Sequence, residues 1–310
     1  MRLVFCGTPA FAVPTLHALL SAGHSIELVL CQPDRPSGRG LTLTVPPVKR
    51  AALDAGIEVL QPEKIRNNAE LRARLEAIRP DAIVVVAYGR LIPPWMLDLP
   101  RYGNLNLHGS LLPKYRGAAP IQWAVANGEK VTGVTTMRLD EGMDTGDMLL
   151  RRELPIGPDD TAEDLFPRLA ELGAPLMVET LAALEAGTIT PEKQNGSLAT
   201  LAPLLTREDG RVDPALTAQC IYNRWRGFQP WPGAWTTARG KKLTLHRLVL
   251  SSTTSGDSGV FRVTGNRLFF TAGDGGVIEV TEAQIEGKRR MPAADLLHGH
   301  GVVDGDRLGS

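Results

Sequence analysis

The chain has 310 residues, enough for two domains or one large one, and its hydrophobic fraction of 43% excludes wholesale disorder. Lys plus Arg and Asp plus Glu both number 34, so a uniformly basic nucleic-acid coat is excluded, although residues 206–310 carry 14 basic against 11 acidic side chains. Three cysteines without Cys-x-x-Cys spacing fit a reduced compartment. No apolar run reaches the roughly 18 residues of a membrane span, and residues 1–7 enter a strand pattern without signal-peptide architecture. A cytoplasmic protein with no membrane partner is expected.

The first half alternates β-rich and helical stretches. Residues 3–6 read as a strand, followed by a Gly7-Thr8-Pro9 turn and a helix over 10–22 that Gly23 ends. A strand at 26–31, a helix at 48–55, a strand at 58–60 and a helix at 68–78 follow. Residues 81–87 hold the run Ile83-Val84-Val85-Val86, as expected of a parallel strand covered on both faces. Leu105 and Leu107 lie in the next strand, before a helix at 118–127 and a strand at 131–137. Residues 162–186 read as helical, with breaks at Pro167 and at Gly173-Ala174-Pro175. Such alternation predicts a mostly parallel sheet with right-handed crossovers.

Near residue 190 the pattern changes. Residues 190–197 are polar and aperiodic, as in a linker. A helix over 214–225 then precedes short strands at 234–238, 242–249, 259–263, 267–271 and 277–284, whose close spacing and Gly-rich turns predict a small β-barrel. The predicted division is 1–189, a linker at 190–205, and 206–310.

Ligand sites in open parallel sheets lie at the carboxyl ends of strands, which selects Gly7-Thr8-Pro9, Gln32-Pro33-Asp34, Ala87-Tyr88-Gly89 and residues 106–113, expected to converge on one crevice. Gly7-Thr8-Pro9 is not a dinucleotide fingerprint, and no Walker-type phosphate loop is present. Asn106 and His108 are two residues apart on a strand and so project to one side. An amide donor and an imidazole suit acyl-type transfer if a carboxylate orients the imidazole. The acidic turn Asp140-Glu141-Gly142-Met143-Asp144-Thr145-Gly146-Asp147 supplies one, but its spacing leaves open which. It does not match an EF-hand. His298-Gly299-His300 lacks a third ligand and reads as a solvated tail, so no metal is expected.

The segment Asn106-Leu107-His108-Gly109-Ser110-Leu111-Leu112-Pro113-Lys114-Tyr115-Arg116-Gly117-Ala118-Ala119-Pro120-Ile121 closely resembles the folate-dependent formyltransferases. Phe5-Cys6-Gly7-Thr8-Pro9, Val85-Val86-Ala87-Tyr88-Gly89, Asp144-Thr145-Gly146-Asp147 and Pro230-Trp231-Pro232 extend the resemblance over nearly the whole chain. The loop Gln32-Pro33-Asp34-Arg35-Pro36-Ser37-Gly38-Arg39-Gly40 and the second domain narrow it to the members acting on RNA. The resemblance implies a Rossmann-like α/β domain followed by a small OB-like β-barrel. It implies formyl transfer from 10-formyltetrahydrofolate to the α-amine of charged methionyl-initiator tRNA, by a protein expected to be monomeric. It assigns catalysis to Asn106, His108 and Asp144, and folate binding to Ser110, Leu111, Leu112 and Pro113 with Tyr88 and Gly89. It directs Arg35, Arg39, Lys49 and Arg50, with Lys241, Arg247, Lys288 and Arg289 of the second domain, to the tRNA. One departure is Leu41-Thr42-Leu43-Thr44, where the family would add lysines, so this loop is less basic than usual. Rival readings are a formyltransferase for an amino-sugar nucleotide or another small amine, a hydrolase of the same folate, and a non-catalytic RNA-binding protein.

Overall fold

A computed structural model describes residues 1–37, 42–254, 256–299 and 301–310. Two compact units result. The first comprises Met1–Pro120, Val131–Pro155 and Phe166–Ala202. Its strands are β1 (Arg2–Gly7), β2 (Ser25–Leu30), β3 (Arg35–Ser37), β4 (Thr42–Thr44), β5 (Val59–Leu60), β6 (Ala82–Val86), β7 (Asn104–His108), β8 (Val131–Arg138) and β9 (Met148–Pro155). Seven of them form a sheet of order β5-β2-β1-β6-β7-β8-β9, while β3 and β4 pair as a separate hairpin. Neighbours from β5 to β7 are parallel. All five residues of β6 and the interior of β1 are buried, which is why both strands read as unbroken apolar runs. The pairings β7–β8 and β8–β9 are antiparallel, completing a mostly parallel sheet. β9 escapes sequence reading because it is an edge strand whose Arg151-Arg152-Glu153 stretch is exposed.

The helices up to residue 186 are α1 (Val13–Ser21), α2 (Pro47–Asp54), α3 (Ala69–Ile78), α4 (Pro94–Leu97), α5 (Pro120–Ala126), which belongs to the second unit from Ile121 onward, and α6 (Ala162–Ala186), which joins the first unit from Phe166 onward. Asn68 caps α3 by accepting from the Leu71 N–H at 2.9 Å. The breaks expected in α6 do not occur: it runs through Pro167 and Pro175 for 25 residues. Its Gly173 serves close approach instead. A Cβ there would lie 2.5 Å from Leu107 Cδ2, so the helix backbone rests directly on the side of β7 opposite Asn106 and His108.

The second unit comprises Ile121–Lys130, Ile156–Leu165 and Pro203–Ser310. It contains α7 (Ala218–Gly227), β10 (Ala234–Ala238), β11 (Lys241–Thr254), β12 (Phe261–Thr264), β13 (Arg267–Thr271), β14 (Gly276–Ile285), β15 (Met291–Pro292) and α8 (Ala293–His298). The antiparallel sheet has the order β10-β11-β14-β13-β12, with β15 added beside β14. Register shifts along β11 bend the sheet around a core that includes Ile221, Trp225, Leu243, Phe261, Phe270 and Ile278. The Tyr222 hydroxyl donates to Asp159 at 2.8 Å, and burial together with that carboxylate pushes the phenol up to about 12. The solvated tail expected around His298 is corrected: α8 buries Leu296, Val302 is fully buried, and the Gly309 N–H donates to the Thr237 carbonyl at 2.8 Å. His300 lies outside the described residues.

Candidate active site

The site is built on β7. Leu105 and Leu107 are buried on one side, and Asn104, Asn106 and His108 point to the other. Asn104 is structural, its amide donating to the Met96 and Leu97 carbonyls at 2.8 and 3.1 Å. Asn106 Oδ1, like Asn104 Oδ1, is buried with no hydrogen-bond partner among the described residues. An orphaned buried amide oxygen is costly and marks a place where a ligand or water completes the bonding.

His108 is buried, with one ring nitrogen on each of two oxygens. Nε2 is 2.9 Å from the Tyr115 carbonyl, and Nδ1 is 3.6 Å from Asp144 Oδ2. A carbonyl oxygen can only accept, so Nε2 carries the proton and Nδ1 of the neutral ring holds the free lone pair. The orienting acid is therefore divided in two. Tyr115 sets the tautomer, and the Asp144 carboxylate waits beside the nitrogen that would gain charge. Asp144 Oδ2 also accepts from the Gly117 N–H at 2.8 Å. Tyr115 and Asp144 both adopt left-handed backbone, with φ of 62° and 54°. Such non-glycine conformations cost about 1–3 kcal/mol each and persist only where the surroundings impose them.

Those surroundings come from the polar stretch after residue 190. Glu192 and Met148 exchange backbone hydrogen bonds at 2.8 Å, the Arg116 N–H donates to the Thr200 carbonyl at 2.9 Å, and Ala202 N–H donates to Arg116 at 2.7 Å. Gln194 accepts from the Arg116 guanidinium and donates to the Asp144 and Gly146 carbonyls. Neither Arg116 nor Gln194 is among the site residues that the sequence assigns: Arg116 lies in the segment 106–121 without a role of its own, and Gln194 lies in an aperiodic polar segment that carries no pattern pointing to a site.

The expected folate residues are largely committed to the protein. The Ser110 hydroxyl donates to the Lys114 carbonyl at 2.6 Å; Thr135 on β8 donates to the Ser110 carbonyl at 2.7 Å and accepts from the Leu112 N–H at 3.1 Å. Leu112 is buried with Met137 and Met148, and Leu111 packs on Gly133. The Leu112–Pro113 peptide is cis. Tyr88 is buried in the core, its hydroxyl unpartnered among the described residues, and burial drives its phenol well above the usual range. Whatever this stretch offers a ligand is thus mainly backbone and wall.

Thr8, Gln32, Arg35, Ala87, Gly89 and Arg90 line an open cavity of about 650 Å³ over the ends of β1, β2 and β6. Gln32 ties its floor together, donating to the Tyr88 and Gly89 carbonyls at 3.2 and 3.3 Å. Three of the four expected loops meet here, but Asn106–Pro113 do not line the cavity; they stand on the next strand of the sheet.

The expected RNA-facing cations separate into groups. Arg35 lines the cavity and Arg50 is exposed on α2. Arg39 lies outside the described residues. Lys49 is engaged: its ammonium donates to Asp34 at 2.8 Å and to Gln61 at 2.6 Å, and the Lys49 bond, with one donated by the Gln61 amide at 2.7 Å, holds the Asp34 carboxyl below its ordinary range. In the second unit Lys241, Arg247, Lys288 and Arg289 are all exposed. Among the described residues no group of His, Cys, Asp and Glu could hold a metal ion, and no helix is long and apolar enough to cross a membrane.

Residues 1–181 match the family described as formyl transferase, and residues 204–301 match the formyl transferase C-terminal domain. Over the full length of both chains the sequence is 69% identical to the methionyl-tRNA formyltransferase of Acidobacterium capsulatum. It is 58% identical to that of Koribacter versatilis, covering 100% of this chain and 99% of the relative. Among solved structures, WlaRD, a sugar 3N-formyl transferase studied with dTDP and 5-N-formyl-THF, aligns at a TM-score of 0.67 and 20% identity over 93% of this chain and 99% of its own. HypX from Aquifex aeolicus, in complex with tetrahydrofolic acid, aligns at a TM-score of 0.64 and 19% identity, over 96% of this chain and 47% of its own. At these identities the likeness concerns the fold.

Proposed function

The chain belongs to the formyl transferase family, and we propose that within it the chain transfers the formyl group of 10-formyltetrahydrofolate to the α-amino group of methionyl-initiator tRNA. The observation that carries the chemistry is the His108 geometry: Nε2 lies 2.9 Å from the Tyr115 carbonyl, which assigns the proton there, and Nδ1 lies 3.6 Å from the Asp144 carboxylate. When bound, the folate supplies the formyl carbon and a nitrogen leaving group. His108 Nδ1 takes the proton of the attacking amine as the new C–N bond forms, and returns it to the departing nitrogen. Asp144 stabilises the imidazolium between those two moments. Asn106 turns its side-chain N–H to the charge developing on the formyl oxygen. The Ser110–Pro113 turn holds the folate from its backbone, beside Tyr88 and Gly89.

The open cavity is assigned to the acceptor end of the RNA, where its Arg35 and Arg90 suit a phosphodiester. Arg50, Lys241, Arg247, Lys288 and Arg289 supply further exposed charge for the tRNA. Catalysis is assigned to residues 1–189 and tRNA binding to 206–310 with the help of Arg35 and Arg50, in a monomer working in the cytoplasm. The reading is tested by incubating the protein with 10-formyltetrahydrofolate and, in parallel, charged initiator tRNA, a free amino-sugar nucleotide, or no acceptor. Formylated methionyl-tRNA alone is expected. Formate without acceptor, or a formylated sugar, sinks it.

A further inference from the structure

We propose that Gln194 is a positioning residue for the transfer: its side-chain amide fixes the backbone of the Asp144 turn, and through it the carboxylate beside His108. The inference rests on the assignment of Asp144 and His108 to the reaction.

The orientation of the Gln194 amide is settled by its neighbours. Its Oε1 accepts from Arg116 Nε at 3.0 Å and Nη2 at 2.8 Å, and its Nε2 donates to the Asp144 and Gly146 carbonyls, each at 2.8 Å. A guanidinium only donates and a carbonyl only accepts, so the reversed amide would face four mismatched groups. Both donors and both lone pairs are used, on a side chain reaching across from a segment about fifty residues away, as the separation of 50 between Gln194 and Asp144 records.

What this amide holds is the least self-sufficient part of the site. Asp144 sits at φ 54°, a left-handed conformation that is uncommon for a residue with a Cβ though more accessible to aspartate than to most. The two carbonyls that Gln194 grips flank Thr145, fixing the peptide planes just after the carboxylate. The opposite side is fixed from the same source, because Arg116, which grips Gln194, precedes the Gly117 whose N–H binds Asp144 Oδ2 at 2.8 Å. Gly117 is itself confined: a Cβ there would lie 2.6 Å from the Ala202 carbonyl. Backbone and carboxylate of Asp144 are thus set by one strap, and Gln194 is its only contact with the turn's carbonyls among the described hydrogen bonds.

The chemistry demands a primary amide of this length. Glu keeps, and charges, the bonds from Arg116 but presents acceptors to two carbonyls; Met keeps the length and loses all four bonds. If Gln194 merely anchored the strap to Arg116, Glu would serve. If it positions Asp144, Glu fails. The experiment measures turnover, KM for 10-formyltetrahydrofolate and for charged tRNA, and thermal unfolding, in Gln194→Glu, Gln194→Met, Asp144→Asn and the Asp144→Asn/Gln194→Glu double variant. Both Gln194 variants should remain folded, with KM values near wild type and kcat lower by roughly 10- to 100-fold, the scale of a misplaced catalytic group. The double variant should be no more than about twofold slower than Asp144→Asn alone, since residues acting through one group are non-additive. Wild-type turnover in Gln194→Glu, a loss confined to KM, loss of folding in both variants, or additive losses in the double variant each overturn the proposal. Wild-type turnover in Asp144→Asn overturns instead the assignment beneath it.

Discussion

His108 divides its two nitrogens between a carbonyl and a carboxylate, and the division orders the effects of substitution. Removing the imidazole in His108→Ala should remove the proposed general base and lower kcat by about 10²- to 10⁴-fold. Asn106→Ala should lose roughly 10²- to 10³-fold, as expected for one donor to a developing oxyanion. Asp144→Asn should cost less than His108→Ala, because Tyr115 and not Asp144 keeps the proton on Nε2. Steady-state kinetics of the three variants gives the order, and an Asp144→Asn defect as large as that of His108→Ala contradicts it. The pair Asn106 and His108 is legible in the sequence from its period-two spacing alone. Asp144 is legible only through family resemblance, since four carboxylates crowd one turn, and the Gln194 bonds depend on chain segments that spacing does not relate. The cysteines give an independent check. Burial pushes the Cys31 thiol up to about 11 from 9.0, and its contribution to stability is present below the lower value and lost as pH rises through the higher. At pH 8 Cys31 and Cys6 are buried neutral thiols while Cys220 is exposed. Iodoacetamide followed by peptide mass spectrometry should therefore modify Cys220 alone until the protein is unfolded.

At the scale of elements, the site depends on what lies behind β7. Gly173 lets α6 press on Leu107, so a methyl group there must push helix and strand apart. Gly173→Ala should lower stability by about 1–3 kcal/mol, the usual cost of overpacking, and should lower turnover through displaced Asn106 and His108 without touching substrate. A variant with unchanged thermal midpoint and unchanged kcat contradicts this packing. Here sequence pattern misled for a physical reason: Gly173-Ala174-Pro175 carries the residues of a helix break, yet burial of the α6 face outweighs the lost hydrogen bond and the glycine serves proximity. Strands β1 and β6 were legible because both faces are buried. β9 was not, because an edge strand with an exposed charged middle lacks the period-two signal.

For the whole molecule, the zero net charge conceals a division that RNA binding would use. Exposed Lys288 and Arg289 should act by counterion release, so each change to Ala should weaken tRNA binding and reduce the salt slope of log Kd by about one. Lys49→Ala should behave differently, since its ammonium already balances Asp34. It should leave the salt slope nearly unchanged and destabilise the fold, and filter binding at several salt concentrations beside thermal unfolding separates the two classes. The most direct test of the account is single-turnover formylation of charged initiator tRNA by Asn106→Ala and His108→Ala, with tRNA affinity measured on the same preparations. The predicted result is a transfer rate lower by at least about 10²-fold in each with tRNA affinity nearly unchanged. Transfer at the wild-type rate, or a rate that falls only in step with lost tRNA binding, contradicts the claim that these side chains perform the chemistry.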